Sequence, residues 1–279
     1  MLTLIYIRLL FLNTMKRKEN KPKIHIASCS FGKDSIATIL LALEHNEPLD
    51  RVVFAEVMFD HEKGISGEIP EHIEWIYNVA IPKLAEMGVK VDVVRAKKDY
   101  VQLCNTIYKK GDRIGFRYGF QSGGVCFANS ELKMQPIHSY YSKFKKDFDI
   151  VQYVGIAADE PKRLSRLEGT NKVSLLAKYG YTEAMSMDKC KEYDLVSPCY
   201  SMCSRGGCWF CANAKLSLFI HMRKNYPMMW NELRELDKID KRIQDKFKYG
   251  KTLEQVEREM DIKELEEQQP TLFDFNENR

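Results

Sequence analysis

Two short stretches carry side chains whose types and spacing can do chemistry. The first is Ser28-Cys29-Ser30-Phe31-Gly32-Lys33-Asp34-Ser35. Ser30 and Ser35 offer hydroxyl donors, Lys33 a cation, and Asp34 a carboxylate able to hold Mg2+ or orient a donor. Gly32 allows backbone to approach a phosphate closely. An apolar run, Ile24 to Ala27, precedes the stretch, and a helical run, Ile36 to Leu43, follows it. Strand, tight turn and helix start make an anion site. The first helical N–H groups lack intrahelical partners, and the helix dipole adds partial positive charge there. The spacing of a Walker A loop is absent.

The second stretch runs from Pro198 to Cys211 and holds Cys199, Cys203, Cys208 and Cys211, spaced C-x3-C-x4-C-x2-C. Thiolates ligate zinc and iron–sulfur clusters. Gly206-Gly207 before the final pair lets the chain fold back and aim two sulfurs at one point. Zinc ribbons separate their cysteine pairs by a longer loop, so the compact spacing favours a [4Fe-4S] cluster over Zn2+. Cys126 is a candidate replacement for Cys199 or Cys203. A redox role for the C-x-x-C pair ranks below metal binding, because two more cysteines stand beside it. Cys29, Cys104 and Cys190 read as packed thiols.

The elements that must position these groups follow from the pattern of the chain. Strands are expected at Ile24 to Ala27, Arg51 to Met58, Val89 to Val94 and Asp149 to Ile156. Helices are expected from Pro70 to about Met87, Asp99 to Lys109, Leu132 to Lys146 and Thr182 to Tyr193. This alternation implies an α/β fold: a Rossmann-like parallel sheet with helices on both faces. In such a sheet ligands sit beyond the carboxyl ends of strands. The Ser30 loop, the Asp60 loop and the Asp159–Arg166 loop, with Lys162, Arg163 and Arg166, all leave such ends and can converge on one nucleotide.

Four segments are expected: a flexible extension over 1–22, a nucleotide-binding domain over 23–195, a cysteine-rich metal-binding segment with a helical C-terminal layer over 196–265, and a disordered tail over 266–279. There is no internal repeat. The chain has 279 residues, 44% of them hydrophobic and 29% charged, with a net charge of +4. That balance is ordinary for a soluble protein. Eight cysteines without a convincing secretory signal read as cytoplasmic metal or redox chemistry rather than a disulfide framework. Met1 to Leu12 is apolar but too short to span a bilayer, and its basic residues follow the apolar run instead of preceding it. It reads as an upstream extension with Met15 as the natural start, the alternative being a monotopic anchor.

Taken together, these residues resemble the phosphoadenylyl-sulfate (PAPS) reductase family of the PP-loop, or N-type ATP pyrophosphatase, superfamily. Ser30 to Ser35 resembles its phosphate loop, and Asp60 with Pro70-Glu71 its D-T/S-G…P-E segment. Cys126 with Leu132-Lys133 and Pro136-Ile137 resembles its cysteine and L-K-x-x-P segment. Gly155 to Arg163 resembles its G-x-R-x-x-E segment, with Ala157 in place of Arg. The resemblance covers about residues 23–215 and implies a PP-loop fold.

It also implies an adenine-nucleotide site formed by Ser28, Ser30, Phe31, Gly32, Lys33, Asp34, Ser35, Asp60, Gly155, Arg163 and Arg166. Lys33, Asp34, Asp60 and Arg163 would take catalytic roles. The C-terminal E-C-G-L-H motif of the sulfonucleotide reductases is missing, and no cysteine follows Cys211. Lys33-Asp34-Ser35 keeps the form of members that cleave ATP to AMP and pyrophosphate. The expected activity is therefore adenylation of an acceptor in sulfur transfer, with ATP and Mg2+ and a sulfur-donor protein as partner. The alternatives are reduction of PAPS or its unphosphorylated form, APS, with a thioredoxin-like reductant, and a non-catalytic nucleotide-binding scaffold with structural zinc. Gln269 to Phe273 resembles the Q-x-x-L-F peptide that binds the bacterial sliding clamp, which would place the enzyme at DNA.

Overall fold

The computed structural model describes residues 21–120, 126–203 and 206–268. The N-terminal extension up to residue 20, and the clamp-like peptide Gln269 to Phe273, lie outside the described residues. Among the described residues no helix is long and apolar enough to cross a membrane.

The core of the molecule is one parallel sheet. Its strands are β1 (Lys23–Ser28), β2 (Arg51–Ala55), β5 (Val91–Val94), β7 (Asp149–Tyr153) and β8 (Lys172–Val173), in the order β5-β2-β1-β7-β8. β1 pairs with β2 on one side and β7 on the other, so strand order reverses at β1. The crevice at that reversal is where a parallel sheet binds its ligand.

Alternation along the strands separates two cores. Ile24, Ile26, Val53 and Ala55 pack beneath the helix α5 (Gln135–Ser142), through Ile137, Tyr140 and Tyr141. Ala27, Val52, Phe54 and Tyr153 face the other side, under α1 (Lys33–Glu44). The helices α7 (Leu175–Lys178) and α8 (Glu183–Glu192) join that second core through Leu175, Leu176 and Cys190. The expected α/β class, with helices on both faces, holds.

Several boundaries differ from expectation for identifiable reasons. The run Arg51 to Met58 is not one strand. It leaves the sheet at Glu56 and Val57 and re-forms as β3 (Met58–Asp60), which pairs antiparallel with β4 (Ile65–Ser66). The helix opening at Pro70 is α2 (Pro70–Trp75) and α3 (Ile81–Glu86), joined by a π-helical turn over Ile76–Ala80. A second π-helical run, Ala128–Met134, precedes α5. Pro82 and Pro136 each follow such a run. Proline has no N–H to donate and its ring crowds the carbonyl four residues back, so the ladder widens there.

The helix expected over Asp99 to Lys109 stops early. α4 (Tyr100–Cys104) is capped by Asp99 and Gln102, which form a capping box. Beyond it, β-branched Thr106-Ile107 turns into extended structure, and Ile107 pairs antiparallel with Arg117.

The cysteine segment and the C-terminal helices do not form a separate core. Cys199, Trp209, Phe210, Phe219, Trp230 and Met260 are buried with Phe59, Tyr100, Leu103 and Leu132. The C-terminal layer comprises α9 (Leu216–Asn225), α10 (Pro227–Asp237) and α11 (Leu253–Gln268), the last running past the expected end at Leu265. Its short strand β9 (Arg242–Gln244) pairs with β6 (Arg117–Gly119).

Candidate active site

The loop after β1 is held open by its own side chains. Ser35 Oγ donates to the Gly32 carbonyl at 2.8 Å and accepts from the Ser30 N–H at 3.2 Å. The left-handed residue of the loop is Phe31, at φ 57°, and not the glycine. Such a conformation in a bulky residue is strained. It is held because the ring is fully buried and packs edge-on against Phe54, with centroids 5.2 Å apart. The Phe31 ring therefore anchors the loop and lines neither of the cavities at the crevice between β1 and β7.

Gly32 caps α1 from an extended conformation. The Lys33 N–H donates to the Tyr200 hydroxyl at 2.7 Å, so the cysteine segment itself reaches the phosphate loop. On the other side the loop meets Gly155 after β7. A Cβ at Gly155 would stand 2.8 Å from the backbone of Asp34 and Ser35. Only glycine lets the two strand ends come this close.

Two cavities open at the β1/β7 crevice and share Ser30, Lys133 and Arg163. The first, of about 390 Å³, is polar. It is lined by Gly32, Lys33, Asp34, Glu68, Glu160, Glu183 and Tyr200. Lys33 Nζ lies 3.0 Å from Asp34 and 2.9 Å from Glu183. Burial alone would lower the Lys33 pKa, but these two carboxylates hold it above its ordinary value. Burial raises that of Asp34 despite the lysine.

The second cavity, of about 300 Å³, is lined more by apolar groups, among them Met134, Ile137, Tyr141, Val154, Ile156 and Leu167, with Ser28, Ser35 and Gly155. The Ser28 hydroxyl and Tyr141 OH are 2.6 Å apart. A polar pocket with cations, opening into an apolar pocket, has the shape and chemistry for a phosphate chain joined to a nucleoside.

Most of the expected nucleotide residues meet here; besides Phe31, two do not. Asp60 is buried, but Oδ1 accepts from the N–H groups of Glu62 and Lys63 at 2.9 and 3.0 Å. It shapes its own turn and lines neither cavity. Arg166 is exposed and also lines neither cavity. Arg163 lines both and pairs with Glu160 at 2.6 Å.

Residues that the sequence reading did not single out complete the site. Lys133 borders both cavities and has no ion-pair partner among the described residues. Its only signal was its place in the Leu132–Pro136 segment. Glu68 is buried against the polar cavity, where burial holds its carboxyl above the usual range. His72 is buried, with Nδ1 2.7 Å from Ser197 Oγ and Nε2 3.4 Å from the Ser30 carbonyl. A carbonyl only accepts, so Nε2 carries the proton and Nδ1 accepts from Ser197. No local pattern marks Glu68 or His72, because the loops that surround them come from distant parts of the chain.

Cys203, Cys208 and Cys211 line a third cavity, of about 340 Å³, with Gly206, Gly207, Ile69 and Leu218. Cys199 is fully buried behind it, its Sγ 3.2 Å from the Ser197 hydroxyl. Cys126 is exposed. Among the described residues no three His, Cys, Asp or Glu side chains are already drawn in to metal-ligand geometry. The donor set still fits an iron–sulfur cluster: soft thiols on a glycine turn, around a space far larger than a single ion fills. Lys248 Nζ donates to the Ala212 carbonyl at 3.1 Å, placing an ammonium beside the Cys208–Cys211 loop. The remaining thiols are inert. Burial pushes Cys29 up to about 11, and Cys104 and Cys190 up to about 12.

The polar cavity and the cysteine cavity share a wall, Gly206-Gly207. No family model and no curated protein matches this chain. Among solved structures it is similar to the U34-tRNA thiolase NcsA from Methanococcus maripaludis with its [4Fe-4S] cluster, at 15% identity and a TM-score of 0.39, over 82% of this chain and 76% of that one.

Proposed function

We propose that the chain is a PP-loop enzyme that cleaves ATP to AMP and pyrophosphate, adenylating an acceptor for sulfur transfer. The observation that carries this reading is the shared Gly206-Gly207 wall, which puts a nucleotide-shaped cleft directly against a cavity of three thiols. An activated phosphoester and a sulfur-handling centre belong this close only if one acts on the product of the other.

In this reading the adenosine occupies the apolar cavity and the phosphates the polar one. Lys33 exchanges Asp34 and Glu183 for phosphate oxygens. The released carboxylates, with Glu160, are hard oxygen donors of the kind that hold Mg2+. Ser30, Lys133 and Arg163 stand where the two cavities join, which is where the α-phosphate would lie. An acceptor oxygen attacks the α-phosphorus, a new P–O bond forms, and the bond to pyrophosphate breaks. Lys33 and Lys133 stabilise the charge that develops on the leaving group. A sulfur nucleophile then displaces AMP from the acceptor. Cys203, Cys208 and Cys211 would hold a [4Fe-4S] cluster, with Cys199 or Cys126 as fourth ligand; when bound, it supplies a soft iron site for sulfur.

The test is AMP and pyrophosphate release from ATP by the anaerobically prepared chain, with candidate acceptors. Lys33→Ala is expected to lower kcat/KM by roughly 100- to 1,000-fold, the range for removing one preorganised group that stabilises transition-state charge. ATP bound without turnover would assign the scaffold role instead. Sulfite release from PAPS would assign reduction.

A further inference from the structure

The segment between α4 and β6 forms a small hairpin that packs little of itself into the protein. Tyr108 N–H donates to the Phe116 carbonyl at 2.8 Å, Gly115 N–H donates to the Tyr108 carbonyl at 3.0 Å, and Ile107 pairs with Arg117. Residues 109–116 are all exposed. Among them Lys109, Lys110 and Arg113 have no ion-pair partner among the described residues, against the single acid Asp112. Ile114 is 64% and Phe116 41% exposed. Apolar side chains left bare at Ile114 and Phe116 cost solubility, and here they sit among unpaired cations.

The base of the hairpin carries a row of rings. Tyr108 and Tyr118 have centroids 4.6 Å apart, and Tyr118 and Phe127 5.7 Å. Phe127 is 41% exposed and follows Cys126 directly. A further cleft opens at the end of β5. Glu131, Gln135, Ser139 and Lys143 line that cleft at four-residue intervals, opposite Lys97 and Lys98. The hairpin cations and the rings at its base form one face, and Phe127 sets its aromatic part next to Cys126 in the chain.

We propose that this face binds single-stranded nucleic acid. Bare lysines and arginine match a phosphate backbone, and exposed rings match the faces of unstacked bases. A duplex keeps its bases stacked and offers the rings nothing. An acidic protein surface would satisfy the cations but not the rings. If the sulfur transfer proposed above is correct, this strand is its acceptor; that clause rests on the earlier reading, while the binding itself does not.

The experiment measures anisotropy of a fluorescein-labelled oligothymidylate, and of the matching oligouridylate, each about 20 nucleotides long, with the full chain over a range of salt. Lys109→Glu, Lys110→Glu and Arg113→Glu combined are expected to weaken binding by about tenfold or more and to reduce the log–log salt slope by about 2. Phe116→Ala is expected to weaken it by about fivefold or more with the slope unchanged. All four positions are exposed, so the fold is retained, which the melting temperature verifies. Wild-type affinity in either variant, no binding by the wild type, or equal binding of a duplex or of a polyglutamate peptide would overturn the proposal. Preference between the two oligonucleotides tells DNA from RNA. ATP binding is read on the same samples. ATP uptake without oligonucleotide binding sinks this surface alone, whereas oligonucleotide binding without ATP uptake sinks the nucleotide reading alone.

Discussion

Lys133 borders both crevice cavities with no salt bridge among the described residues, whereas Lys33 is already held by two carboxylates. Lys133 is compensated by the through-space attraction of Glu68 in the same cavity, and a phosphate would supply a direct counter-charge. Lys133→Met is therefore expected to weaken ATP binding by roughly 10- to 100-fold, the range for one charged hydrogen bond, with the melting temperature unchanged or higher. Titration calorimetry would read it; unchanged affinity would remove Lys133 from the site.

His72 gives a second residue-level prediction. Burial pushes its pKa from 6.5 down to about 4. Between those values the unfolded chain binds a proton that the folded chain excludes. Stability is thus full above about pH 6.5 and falls as the pH drops toward about 4, by up to about 3 kcal/mol. Urea unfolding at several pH values should show this slope in the wild type and a shallower one in His72→Gln. Of these residues the sequence showed Lys33 and Arg163, which sit in local patterns. Lys133 showed only through its place in the Leu132–Pro136 segment, and Glu68 and His72 gain their meaning from neighbours far along the chain.

The loop after β1 and the loop after β7 are pressed together through Gly155, whose missing side chain is what permits the contact. Gly155→Ala would drive a Cβ against the Asp34–Ser35 backbone, which begins a helix and cannot yield as a flexible side chain would. It should cost about 1–3 kcal/mol by overpacking and displace the phosphate loop, so that ATP affinity falls with stability. Denaturant midpoints and ATP titrations on the same variant measure both. The strands and the helix α1 were legible because their apolar runs are uninterrupted. The two π-helical runs were not, since periodicity reports that a helix exists and says little about how a proline reshapes its ladder. The helix expected over Asp99 to Lys109 ends at Cys104, because β-branched Thr106-Ile107 turns the chain into the extended start of the hairpin that pairs Ile107 with Arg117.

At the scale of the molecule, the cysteine segment is fastened to the nucleotide domain by Trp209. The ring is fully buried against Phe59, and Nε1 donates to the Ser66 carbonyl at 3.0 Å. Trp209→Ala should cost about 3–5 kcal/mol, as truncation of a large buried aromatic does. It should also weaken ATP binding, because the shared Gly206-Gly207 wall and Tyr200 lose their support. Cys208→Ser separates the two halves differently. Anaerobic preparations of the wild type are expected to carry iron and sulfide with visible absorbance, and the variant to lose both while still binding ATP. A colourless wild type with zinc alone would make the cysteine segment structural.

The sequence by itself determined the α/β class, the strand–turn–helix loop after β1 and the thiol cluster, because each is written in neighbouring residues: apolar alternation, a turn before a helix, cysteines within one short run. The tertiary structure decided the rest. It placed the strand reversal at β1, removed Asp60 and Arg166 from the cavities, and made Phe31 an anchor. It also set the thiol cavity against the polar cleft at the strand reversal. These are matters of which distant segments touch, and long-range packing, not local pattern, fixes them.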